Sequence, residues 1–377
     1  MRIARVEPYP ISVNGRGYLF VQVTTEDGLT GVGEAGLTWR ERAVAEAVHH
    51  LASLLVGQDA RRIEHLWQVM FRGGFFPADR VICSAISAID LALWDLRGKA
   101  LGVPVYDLLG GRVRDRVVCY PHCGGPTPEA IAGAARRLVE QGWRFIRFGV
   151  PARGEEFEPT RAIHDTVAQF AAVREAVGPE IEICLDVHTR LDPADAITLC
   201  RLLEPYRPFF VEDPLRSENP GSFRTLARHV SVPLAAGEQF ATKWAFRELI
   251  EEELIRYARI DLCIVGGLTE ARKIAGWCET HYIQIAPHNP LGPVSTAACL
   301  HLDLATPNFG VQELARVPGT ILTDLFPVQV KFEAGYLLPP DRPGLGVEFD
   351  PEAAAAYPYR PGHSPHLHRA DGSFTNW

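Results

Sequence analysis

The chain has 377 residues, 47% of them hydrophobic and 22% charged, with a formal net charge of −8. It is longer than one barrel of roughly 250 residues, so a second, smaller domain is expected, and its acidity argues against nucleic acid or an anionic membrane as main partner. No run of about eighteen apolar residues occurs, which excludes a membrane-spanning helix.

Residues 1–40 read as a β-meander: YLFVQVTT is a strand, Asp27-Gly28 a turn signal and LTGVGEA a returning strand. MRIARVEPYPISV alternates like a strand and lacks a signal peptide's apolar core, so a cytoplasmic protein is expected. ERAVAEAVHHLASLL carries apolar residues at helical spacing and stops before Gly57. The glycine-rich aromatic loop from Phe71 to Asp79 is expected either to fold over the barrel mouth and exclude water or to pack its aromatics on a neighbouring subunit. A second helical stretch, RVICSAISAIDLALWDLRGKALG, is apolar on most faces and should be buried between domains. PVYDLLGG and a charged link from Arg112 to Arg116 close this first region, 1–115.

From Val117 the pattern becomes strand, helix, strand. VVCYPH, RFIRFGV and the runs ending ICLDVH, FFVED, LAAGE, ARIDL, IQIAPH and FGVQE supply eight strands with helices between them. That is an α/β chain forming a closed parallel (β/α)7β TIM-like barrel over 116–325. The following strand-and-loop segment, 326–377, has no barrel unit left to join and is expected to return to the N-terminal domain. Its His-rich end, HSPHLHRADGSFTNW, reads as a surface tail. Eight cysteines are scattered without a CxxC pair, which suits reduced core thiols in a cytoplasmic protein.

Asp186, Glu212 and Glu238 stand 26 residues apart, each ending a short apolar run. Equal spacing near one βα unit places three acids at the same ends of successive parallel strands. Converging carboxylates repel unless a cation holds them, and all-oxygen ligands suit Mg²⁺ or Mn²⁺. The period continues with Asp261 after 23 residues, His288 after 27 and Glu313 after 25, which puts six polar residues at the C-terminal face of the barrel.

These residues resemble the enolase superfamily, in particular its mandelate racemase-like branch and its acid-sugar dehydratases. The resemblance rests on AISAIDLALWDLRGKALGVPVYDLLGG, on the acids in LDVH, VEDP and AGEQ, on QIAPHNPLGPVSTAACLHLDLATPNFGVQE and on GYLLPPDRPGLGVEFD. It implies an α+β N-terminal capping domain completed by the C-terminal segment, and a symmetric homo-oligomer. It also implies Asp186, Glu212 and Glu238 as Mg²⁺ ligands, Asp261 and His288 as a dyad, His188 as a second acid/base and Glu313 as a contact to the substrate carboxylate.

Abstraction of a proton α to a carboxylate creates two charges on adjacent oxygens, which a divalent ion offsets. His288 is the expected base, its tautomer fixed by Asp261 on the neighbouring strand. His188, two residues beyond Asp186, shares its face and should donate a proton to a departing 3-hydroxyl. Arg147 stays protonated, so it is expected to bind a substrate carboxylate or hydroxyl, or to pair with an acid ligand, and not to act as a base. Tyr120 and His122, ending the first strand, are candidate contacts to a polyol tail or else structural.

The implied reaction is dehydration of an aldonic acid to a 2-keto-3-deoxy acid. An epimerase using the same two histidines and a catalytically silent sugar-acid-binding protein are the alternatives. The net negative charge requires that the metal and local cations attract such an anion.

Overall fold

The computed structural model describes residues 1–152 and 154–375. The chain opens with an antiparallel meander of β1 (Ile3–Val13), β2 (Arg16–Thr25) and β3 (Thr30–Ala35). Asn14 and Gly15, both at positive φ, form the two-residue turn between β1 and β2, the hairpin turn whose twist matches its strands. Four helices follow: α1 (Glu41–Leu55), α2 (Ile63–Arg72), α3 (Arg80–Leu101) and the short α4 (Val105–Leu108). Asp79 caps α3 through the Arg80 N–H and left-handed Gly102 ends it. Helix α3 lies directly on β3 because Gly33 has no side chain; a Cβ there would sit 1.7 Å from the Ala88 carbonyl oxygen.

The barrel strands are β4 (Val117–Tyr120), β5 (Phe145–Gly149), β6 (Glu182–Asp186), β7 (Phe210–Glu212), β8 (Leu234–Ala236), β9 (Tyr257–Ala258), β10 (Gln284–Ile285) and β11 (Gln312–Glu313). Seven helices separate them: α5 (Pro128–Glu140), α6 (Pro159–Val177), α7 (Pro193–Leu203), α8 (Phe223–Ala227), α9 (Thr242–Glu251), α10 (Gly267–Thr280) and α11 (Pro293–Ala305). Strands β5 to β10 pair in parallel in sequence order, and β11 pairs with β4. Bridges His122–Arg147 and Ile285–Phe309 join the two sheets and close the barrel. Strands β6 and β10 are therefore four positions apart among eight, on opposite walls.

Buried carboxylates dock the N-terminal elements onto the barrel. Glu34 on β3 accepts from Gly292 N (2.7 Å) and Ser295 N (2.9 Å) at the start of α11, and Asp90 on α3 accepts from Thr269 N (2.9 Å) in the first turn of α10. Both acids satisfy helix N–H groups that have no partner within the helix. Ser84 Oγ and Gly36 N donate to the Cys263 carbonyl as well, at 2.9 and 2.8 Å.

The segment after Leu325 divides its course. Strands β12 (Lys331–Glu333) and β13 (Tyr336–Leu338) form a hairpin whose β13 pairs antiparallel with barrel strand β4. An edge on β4 was therefore open to it, which strand counting along the sequence does not show. Leu345 N then donates to Asp95 of α3, Phe349 packs on Tyr9 and Phe20, and Arg360 N bonds Ser12, so this part does lie on the N-terminal elements. His368 returns to the barrel side, exchanging backbone hydrogen bonds with Glu155 and Phe157. Residues 376–377 of the expected tail lie outside the described residues. No described helix is long and apolar enough to cross a membrane.

Candidate active site

Asp186 and Glu212 end β6 and β7 and pair directly across the sheet; Glu238 follows Gly237 just beyond β8. One carboxylate oxygen from each lies within 4.8 Å of the other two. Asp186 and Glu212 are fully buried, where like charges repel far more than in water. Glu212 gives Oε1 to the Arg259 guanidinium, while its Oε2 is buried with no hydrogen-bond partner. An orphaned carboxylate oxygen within an all-oxygen donor set fits a hard divalent cation.

Across the cavity, His288 donates Nδ1–H to Asp261 Oδ2 at 2.7 Å, and Asp261 is itself fixed by Cys263 N at 2.7 Å. His288 Nε2 is left toward Glu238, 3.4 Å away. Burial lowers the imidazole's proton affinity, but Glu238, Glu313 and Asp261 outweigh it and raise the pKa to about 9.

On the opposite wall, His188 and Thr189 both adopt positive φ one residue beyond Asp186, after Val187, in a turn held by His188 N donating to Asp186 Oδ1 at 2.8 Å. His188 Nε2 accepts from Arg147 at 3.0 Å and lies 3.0 Å from Asp186 Oδ2. Burial, then the Arg147 charge, pushes this imidazole down to about 3, whereas a proton donor near neutrality was expected. Arg147 is in direct ion-pair contact with Asp186. The expected pairing with an acid ligand is present.

Of the two readings of Tyr120, its position fits the structural one. It is fully buried and packs edge-on to Phe210, with Cys184, Ala286 and Val311 in the same interior cluster. Each of these stands two residues before a polar strand-end residue, so Tyr120 belongs to the level beneath the cavity and does not reach a substrate. His122, two residues on, does reach the upper level, where Nε2–H donates to Glu313 Oε1 at 2.6 Å. Glu313 spends its other oxygen on Arg259 (2.6 Å) and Asn289 N (3.0 Å). Although burial acts to raise its pKa, the His288, Arg259 and His122 partners hold the carboxyl well below the usual range. It is an anion with both oxygens engaged.

Two residues escaped the sequence reading. Arg259, fully buried beneath Asp261, bridges Glu212 and Glu313 and donates to the Ala286 and Pro287 carbonyls. Its signal was present: it is two residues before Asp261 and so shares that inward face. Asp213, beside Glu212, accepts from Gly237 N at 3.3 Å. Burial, then the Glu238 and Glu212 charges, raises its carboxyl well above the ordinary range.

A cavity of about 380 Å³ opens over Glu238, Asp261 and His288, roofed by Gly36 to Arg40 and flanked by Arg80 and Arg216. The roof is not the loop from Phe71 to Asp79. Phe71 is buried between Trp67 and Trp244, while Phe75 and Phe76 are 94% and 80% exposed beside a separate cavity near the start of α9.

Residues 130–354 match the enolase C-terminal domain-like family, and residues 3–110 match the mandelate racemase / muconate lactonizing enzyme N-terminal domain. The chain is 39% identical to a D-galactonate dehydratase of Ralstonia nicotianae, covering 100% of both, and 38% identical to a D-mannonate dehydratase of Caulobacter vibrioides, covering 97% of this chain and 98% of that one. It superposes on the crystal structure of an enolase from Pantoea ananatis with bound D-gluconate and Mg, with a TM-score of 0.94, 32% identity and coverage of 100% and 99%.

Proposed function

Because the chain belongs to the enolase superfamily, in its mandelate racemase and muconate lactonizing enzyme branch, we propose that it is a Mg²⁺-dependent acid-sugar dehydratase, a hydro-lyase. The observation that carries this reading is three carboxylates with oxygens within 4.8 Å of one another, beside a histidine held by a carboxylate at 2.7 Å. Asp186, Glu212 and Glu238 are the residues that would hold Mg²⁺, with Mn²⁺ as a substitute. Bound there, the ion supplies positive charge that offsets the two developing oxyanions and opposes the pull of Glu238 on the His288 proton.

His288 Nε2 takes the proton from C2 of the acid sugar while Asp261 keeps Nδ1 protonated and the ring in place. Positive charge then accumulates on an imidazole already flanked by carboxylates. From the opposite wall the His188–Arg147 pair meets the 3-hydroxyl, where its positive charge stabilises the leaving oxygen, which takes up the proton that His288 carries from C2. Loss of hydroxide as water leaves an enol that becomes the 2-keto-3-deoxy acid. Arg147 also anchors Asp186, and His122 and Glu313 order the wall between β4 and β11.

Histidines on opposite walls also favour a second reading, epimerisation at C2. A guanidinium hydrogen-bonded to His188 makes it a poor partner base, which supports dehydration over exchange. Incubating aldonates and aldarates with Mg²⁺ in D₂O tests both: keto-acid formation is expected, whereas C2 exchange without loss of water favours the epimerase, and neither product overturns both.

Division at 115 and 325 belongs to this reading, with the β12–β13 hairpin grouped with the barrel. Eight unpaired cysteines, seven of them buried, support a reducing, cytoplasmic setting. Exposed Phe75 and Phe76 support a homo-oligomer, which light scattering would measure.

A further inference from the structure

Two guanidiniums stand behind the cavity wall with no direct ion pair among the described residues. Arg16, at the start of β2, donates Nη2 to Thr38 Oγ1 at 3.3 Å, and Arg316, just after β11, donates Nη1 to the Pro290 carbonyl. Thr38 and Pro290 both line the cavity that contains Glu238, Asp261 and His288. The two arginines flank one aromatic ring, their guanidinium carbons 5.9 and 5.8 Å from the centroid of Tyr18.

Among the described residues, the side-chain hydrogen bonds of both arginines go only to these neutral groups. The Nε of Arg16 is buried and has no partner. Glu34 and Glu313 act on Arg16 through space, but neither is in ion-pair contact with it: Glu34 accepts from Gly292 N and Ser295 N, and Glu313 is held by His122, Arg259 and Asn289 N. Like charges side by side lower the proton affinity of Arg16, after the larger effect of its burial. Buried or half-buried guanidinium groups are ordinarily paired, since desolvating an unpaired charge is costly. A planar fork of donors matches a carboxylate, which can take two parallel N–H bonds.

Resting on the dehydratase reading above, we propose that Arg16 and Arg316, with the Thr38 hydroxyl, form a subsite for a second carboxylate at the far end of the substrate, so that the enzyme favours aldaric over aldonic acids. The reacting carboxylate lies at the Asp186–Glu212–Glu238 end, and a cavity of about 380 Å³ is in the range that encloses a small ligand. A terminal CH₂OH offers nothing that two cations require, whereas a carboxylate answers both.

Binding can be read without turnover. Calorimetry on the full chain with Mg²⁺ would compare adipate with 6-hydroxyhexanoate, equal in length and lacking a reactive 2-hydroxyl. Adipate should bind about tenfold or more tightly, and Arg16→Gln or Arg316→Gln should reduce that ratio to near one. Should Arg16→Gln fail to fold by circular dichroism, Arg316→Gln decides alone, and Arg316→Lys should restore part of the preference. Equal binding of both acids by wild type, or a ratio unmoved by the variants, overturns the subsite. A 6-phosphorylated aldonate binding more tightly than adipate would assign the arginines to phosphate and overturn the carboxylate. If adipate is preferred but no acid sugar yields a keto acid, the dehydratase reading falls and the subsite stands.

Discussion

The two walls of the cavity carry the same side chain in opposite electrostatic settings. His288 on the β10 side faces Glu238, Glu313 and Asp261, whose charges raise its pKa to about 9; on the β6 side burial, then the Arg147 charge, lowers that of His188 to about 3. Burial pulls both down, so it is the neighbouring charge that separates them. Residue type names a proton carrier, and the partner decides in which direction the proton moves. One wall is thereby suited to receive a proton, and the other brings positive charge to a leaving oxygen.

The contrast can be broken from either side. His288→Asn should remove the base and cut kcat/KM by about 10²–10⁴-fold, with C2 deuterium exchange lost in parallel; retained exchange would assign the base elsewhere. Arg259→Met should leave Glu212 and Glu313 buried without their shared cation, at about 3–5 kcal/mol in urea unfolding. Mg²⁺ at a hundredfold above its dissociation constant should stabilise the fold by about 2.7 kcal/mol, and Glu212→Gln should abolish most of that gain in a thermal melt. His188→Asn should slow keto-acid formation by about a hundredfold while C2 exchange persists, which separates the two walls kinetically.

The smallest effect concerns a third histidine, away from the cavity. His301 on α11 is fully buried and accepts from Tyr106 N at 3.0 Å, and burial pushes its pKa down to about 4. A folded-state value below the unfolded one means stability that is present above about pH 6.5 and lost as pH falls from there toward 4. His301→Gln should flatten that part of the unfolding free energy against pH by about 1–3 kcal/mol; an unchanged slope would mean that burial alone does not suppress this proton.

Much of this was legible because strand periodicity is a strong signal. Spacings near one βα unit located Asp186, Glu212, Glu238, Asp261, His288 and Glu313, and alternation put His188 on the face of Asp186. Alternation gives a face but not a depth, which is why Tyr120 was placed at the cavity and lies one level below it. Ion pairing was legible only in part. Pairing of Arg147 with an acid ligand was one of its expected roles, but nothing local in the chain links Arg259, just after β9, to Glu212 or Glu313 across 47 and 54 residues. The roof was misjudged because glycine and aromatic content mark a loop without giving its direction; Gly36 to Arg40 reach the cavity while Phe75 and Phe76 point to solvent. The hairpin on β4 depends on which strand edge stays open, a property of the closed barrel.

The account turns on three carboxylates sharing one cation beneath an imidazole. Diffraction from a crystal soaked in Mn²⁺, recorded at the manganese absorption edge, tests it directly. A single anomalous peak within about 2.0–2.4 Å of oxygens from Asp186, Glu212 and Glu238 is the expected result. No peak there, or one that leaves any of the three acids unligated, would contradict it.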